Sequence, residues 1–135
     1  MSSIIKHKVE LKNVNEDTLK GAIDLLQAVG AKMGITITNR GGKLTDYWGN
    51  RVECPQSTIV INVDGNRFPI GIYVKNGSIE ITGDFHGCHV SETQLGKAIQ
   101  QLYTAQATRI SLMRMGYRTN VVCEAQKIKV QGVTA

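Results

Sequence analysis

No run approaching the roughly 20 apolar residues that cross a bilayer occurs in this sequence. The opening MSSIIKHKVELK sets Lys6, His7 and Lys8 where a secretion signal needs an apolar stretch. These absences predict a cytoplasmic protein with no membrane partner. Cysteine is scarce as well. Cys54, Cys88 and Cys123 are odd in number and show no CxxC spacing, which suits reduced thiols better than a disulfide framework. There is no fixed-period repeat and no low-complexity tract. Acidic residues nearly vanish toward the end: from Thr93 onward Lys97, Arg109, Arg114, Arg118, Lys127 and Lys129 face Glu124 alone. With a net charge of +5, this bias favours anionic partners, and it serves equally as a solubilising surface.

What is present fits one domain spanning residues 1–135, since 41% apolar and 20% charged residues are ordinary globular values. Ile5, His7, Val9 and Leu11 alternate with Lys6, Lys8, Glu10 and Lys12, the pattern of a half-buried strand with His7 facing inward. Asn15 is placed to cap a helix over about 16–29, with Glu16 and Asp17 at its positive end and Val14 and Leu19 as a hydrophobic staple. Leu19, Ala22, Ile23, Leu26 and Val29 form its apolar stripe, and Gly30 is expected to stop it in a left-handed conformation.

Ile35 and Ile37 begin a short strand, followed over about 39–57 by a long basic and aromatic loop without sustained period. Thr58–Val63, Phe68–Val74 and Ser78–Thr82 are further strands, separated by Asp64-Gly65 and Asn76-Gly77, dipeptides that accept positive φ in tight turns. Ser91 with Gln94 forms a capping box for a second helix, stapled by Val90 and Leu95 and ended by Gly116. Thr119–Cys123 and Lys127–Val130 read as a closing hairpin. The order β-α-β-β-β-β-α-β-β predicts an α+β fold, a mainly antiparallel sheet with two helices packed on one face.

The opening SSIIKHKVELKNVNEDTLKGAIDLLQAVG, the strand TIVINV, the segment IGIYVKNGSIEITGDFHG and the helix leading into MGYRTN resemble a family of small uncharacterised proteins. That family is typified by hypothetical chloroplast reading frame thirty-five and has plastid, cyanobacterial, bacterial and phage members. The resemblance implies an α+β fold of this kind and supplies no catalytic residues. Asp84-Phe85-His86-Gly87 stands here where the family has an aromatic-rich acidic turn, and the 39–57 stretch is unusually basic.

Asp84, His86, Cys88 and His89 are the densest set of metal-ligand types, with Cys54 or Cys123 available to complete a tetrahedral zinc site. Adjacent Cys88 and His89 diverge in an extended chain, and no second ligand pair has a recognised spacing. The sequence therefore assigns no metal and no cofactor. Catalytic residues are not assigned either, because no nucleophile elbow accompanies Cys88 and its neighbouring histidines. Arg40-Gly41-Gly42-Lys43 offers backbone N–H groups and two cations to a phosphate without matching a Walker loop, and Tyr47, Trp48 and Arg51 follow as stacking and neutralising groups. Arg109 and Arg114 lie about 140° apart around their helix and do not form one reading stripe. Lys127 and Lys129 share the solvent face of the closing hairpin, with Arg118 beside them.

The reading from sequence is a non-enzymatic binding protein for an anionic ligand, either a nucleotide-like small molecule or single-stranded nucleic acid. Its expected contacts are Arg40, Gly41, Gly42, Lys43, Tyr47, Trp48 and Arg51 together with Arg118, Lys127 and Lys129. The alternative is a protein–protein adaptor or inhibitor whose unpaired strand and second-helix surface bind a partner enzyme. Exposed sheet edges also leave room for a homo-oligomer paired across a two-fold axis.

Overall fold

Alternating and β-branched segments become strands where one face can be buried, and the helical stripes supply that burial. The computed structural model describes residues 4–45, 48–124 and 127–134. Strand β1 (Ile4–Val9) leads into helix α1 (Glu16–Val29), a 3-10 turn (Gly30–Met33) and strand β2 (Ile37–Arg40). Strands β3 (Ile59–Val63), β4 (Ile70–Lys75) and β5 (Ser78–Asp84) follow, then helix α2 (Glu92–Arg114) and strands β6 (Tyr117–Glu124) and β7 (Lys127–Thr134). This is the expected α+β order, and each strand pair is antiparallel.

Five strands form one sheet in the order β1-β5-β4-β3-β2, so the N-terminal strand pairs with the fifth. The register sets Val9 opposite Ile79, His7 opposite Ile81, Ile72 opposite Ile81 and Ile61 opposite Ile70. All these side chains share one face, and Ile61, Ile70, Ile72, Ile79 and Ile81 are fully buried there. Leu19, Ile23 and Leu26 of α1 and Leu95, Ile99 and Leu102 of α2 complete the same core. His7 lies on this face as expected: a Cβ added to Gly96 of α2 would come within 2.9 Å of its Nε2.

Both helix starts form as read. Asn15 Oδ1 accepts from the N–H groups of Asp17 and Thr18, and Ser91 Oγ accepts from that of Gln94. Gly30 corrects the reading of the first helix stop. Its φ is −60°, a right-handed conformation, and the left-handed residue is Gly34 at φ 80°. Gly30 is required for space instead, because an added Cβ would meet Ile35 O at 2.3 Å.

The closing hairpin, β6 and β7, does not extend the five-stranded sheet. It folds back on α2, with Gly132 against Leu112 and Thr119 Oγ1 accepting from Arg109 Nε at 2.9 Å. The helices therefore lie between the sheet and the hairpin. The opposite face of the sheet is left for residues 41–45 and 48–58.

Candidate anion-binding cleft

The strand periodicity that buries one face of the sheet presents Lys6 and Lys8 of β1, Glu80, Thr82 and Asp84 of β5, and Gly71, Tyr73 and Lys75 of β4 on the other. Residues 41–45 and 48–58 fold back across this outer face. Leu44 is buried over Gly71, Val52 N–H donates to Leu44 O at 3.0 Å, and Thr45 bridges Arg51. The result is a small flap, with Trp48 in the turn that joins its two arms and 75% exposed. At its base the Thr58 hydroxyl donates to Pro55 O at 2.6 Å, which fixes the return into β3.

Between flap residues 51–55 and the sheet lies a cleft of about 760 Å³ whose sheet side is formed by Lys6, Tyr73 and Lys75. Tyr73 is its buried floor, and its hydroxyl donates to Glu80 Oε2. Burial, then the Glu80 hydrogen bond and charge, then Cys54 push the Tyr73 phenol well above its usual range, so it stays protonated. Glu80 Oε2 also lies 3.8 Å from Lys75 Nζ, so one carboxylate is shared between two floor groups. Lys6 and Arg51 make no ion pair among the described residues. Their two cations face the cleft from opposite walls, with Glu53 the acidic residue on the flap side.

The residues read from sequence as a site are dispersed. Arg51 lines the cleft, and Trp48 and exposed Lys43 belong to the flap beside it. Tyr47 lies outside the described residues. Arg40 ends β2 with its Cα opposite Ile61, on the helix side, where its guanidinium pairs with Asp24 of α1 and reaches Gln27. Gly41 and Gly42 are exposed with φ of 93° and 97°, and the Gly41 N–H is already given to Val60 O. The Arg40–Lys43 stretch is thus a strand end and turn with its lead cation and first amide engaged. Arg118, Lys127 and Lys129 share the solvent face of the hairpin, where Lys129 lies 3.6 Å from Glu124. That face is separated from the cleft by the helices and the sheet.

Lys6, Tyr73 and Lys75 on the sheet side, and Val52, Glu53, Cys54 and Pro55 on the flap side, are the cleft residues that were not read as ligand contacts from sequence. The signal of the sheet residues was present in part, since alternation puts Lys6 outward and Lys75 directly before the Asn76-Gly77 turn. Their meeting depends on β5 lying between β1 and β4, a long-range order that local periodicity does not encode.

The metal-ligand types also separate. β5 continues through Asp84, which is 1% exposed and whose Oδ1 accepts from His86 N–H at 3.0 Å. Cys88 Sγ faces the carbonyl oxygens of Asp84 and His86 at 3.7 Å, and the His89 side chain packs over Gly65. Among the described residues no group of three or more His, Cys, Asp or Glu gathers to hold a metal. Asp84 Oδ2 and Thr82 Oγ1 are buried on the outer face with no hydrogen-bond partner among the described residues.

Among the described residues no helix is long and apolar enough to cross a membrane. No protein-family model, curated protein or solved structure matches the chain.

Proposed function

We propose that this chain is a non-enzymatic binding protein for an anionic ligand, held in the cleft between the flap and the outer face of the sheet. The observation that carries this reading is the convergence of Lys6, Arg51 and Lys75, from three separate segments, on one cleft of about 760 Å³. Two of them lack an ion pair among the described residues, and unpaired cations at a concave surface attract and hold anions. The protonated Tyr73 gives the floor a neutral aromatic body beneath them.

Titration of pyrophosphate and nucleoside triphosphates at low salt tests it, read by the emission of Trp48, the only tryptophan. Binding is expected to weaken as salt rises. The double variant Lys6→Ala, Arg51→Ala should lose about a hundredfold or more in affinity, since hydrogen bonds to charged groups contribute roughly 1.5–3 kcal/mol each. Affinity unchanged in that variant would remove the cleft as the site.

A second reading, a protein–protein adaptor, rests on a different observation. Met113, Met115 and Tyr117 are exposed where α2 turns into β6, and Val133 is exposed on the neighbouring end of β7. Arg114 and Arg118 stand among them, so the partner this end suits is an acidic, partly apolar protein segment, and like charges disfavour a second copy. Binding that resists salt and is lost on Met115→Asp would favour this reading over the cleft.

A further inference from the structure

We propose that the anion held on this face is a single strand of nucleic acid, reaching Arg51, Lys6, Lys8 and Lys75, with a base stacked on Trp48. This rests on the cleft being the anion site, and adds the length and class of the ligand.

The cleft does not end at Lys75. A second hollow of about 220 Å³, lined by Lys8, Lys75, Asn76 and Glu80 among others, shares Lys75 with it and continues along the same face. Lys6 and Lys8 are two residues apart on β1, about 7 Å along the strand, and Lys75 lies two strands over and two residues beyond the level of Lys8, about 12 Å from it. A lone phosphate group meets one end of this track. A chain with a negative charge at every link meets all four cations in turn.

The track is also the wrong shape for an enclosed small molecule. Lys6, Lys8, Arg51 and Lys75 are all exposed, whereas small-molecule sites bury most of their ligand. Trp48 stands 75% exposed on the flap, three residues before Arg51, so the same flap offers aromatic surface and one of the cations. A cationic groove for the backbone and an aromatic platform for a base are what single-strand binding without sequence readout uses. Glu53 and Glu80 oppose part of the charge, and Glu80 is shared by Tyr73 and Lys75. The binding is therefore expected to be weak at physiological salt and steep in its salt dependence.

The experiment compares twelve-nucleotide strands of thymidylate and uridylate with a nucleoside triphosphate, by fluorescence anisotropy across a salt series. The strands should bind at least about tenfold tighter than the triphosphate. Their log–log salt slope should be about −2 to −3, at roughly 0.7 per phosphate contact, and Lys8→Ala should reduce its magnitude by about 0.7. Trp48→Ala should weaken strand binding by about tenfold, and Trp48→Phe should restore most of it. Triphosphate bound as tightly as the strands, or a slope untouched by Lys8→Ala, overturns the strand and leaves the small-anion reading standing. No binding of either anion removes both.

Discussion

Leu44 sits against Gly71 so closely that a methyl group added at Gly71 would lie 3.0 Å from Leu44 Cδ2 and 3.1 Å from the Thr58 and Thr82 methyls. This contact anchors the flap to the sheet and so forms the cleft wall. Leu44→Ala is expected to cost about 2 kcal/mol or more, as buried leucine truncations do, and to free the flap. Gly71→Ala should free it by the opposite route, overpacking. Both variants should be cleaved faster by trypsin after Arg51, measured under conditions where the wild type stays folded. Unchanged cleavage in both would show that the flap is held elsewhere.

The turn between β4 and β5 has φ of 52° at Asn76 and 75° at Gly77, the type I′ pattern read from the dipeptide. A Cβ at Gly77 would meet nothing nearer than Asn13 N at 3.9 Å, so replacing this glycine strains the backbone without a clash. Gly77→Ala should therefore lower unfolding free energy by about 1 kcal/mol. A urea midpoint equal to wild type would contradict the turn type.

The two helix caps make a graded prediction. Asn15 Oδ1 holds two backbone donors, at 2.8 and 3.1 Å, whereas Ser91 Oγ holds one at 3.1 Å. Replacement of either by alanine should cost roughly 0.5–2 kcal/mol, with Asn15→Ala the more damaging. Thermal melts of the two variants side by side check the order as well as the size.

Local features of this fold were legible because they depend on neighbours in sequence. The caps, the staples Val14 with Leu19 and Val90 with Leu95, and the Asn76-Gly77 turn each need only a few adjacent residues. Gly30 misled because a glycine after a helix signals either positive φ or lack of room, and here Ile35 O takes the space. Of the residues that line the candidate cleft, only Arg51 was read from sequence as a contact, with Trp48 on the flap beside it. Arg40 looked available because a basic residue before two glycines suggests a loop, yet β2 continues through it and its register turns it toward Asp24. Lys6 and Lys75 stand on one wall only because β5 separates their strands, and no local pattern states which strand lies between two others.

Tyr73 gives the last prediction, on pH. Its hydroxyl is buried and donates to Glu80, so its folded pKa is raised above the ordinary value of about 10. Ionisation would set a phenolate beside a carboxylate in a desolvated floor. The stability this arrangement contributes is fully present below about pH 10, where the unfolded tyrosine is also protonated. Above pH 10 the unfolded chain loses that proton while the folded chain keeps it, so stability falls by up to about 1.4 kcal/mol per pH unit until the folded pKa is reached. Tyr73→Phe removes this contribution. At neutral pH it should cost about 1 kcal/mol through the lost hydrogen bond, with Glu80 still near Lys75. Between pH 10 and 11.5 the difference between wild type and variant should shrink and then reverse, since the lysines and other tyrosines titrate alike in both. Urea midpoints taken every half unit across that window decide it, and parallel curves for the two proteins would show that Tyr73 ionises as freely in the fold as in the unfolded chain.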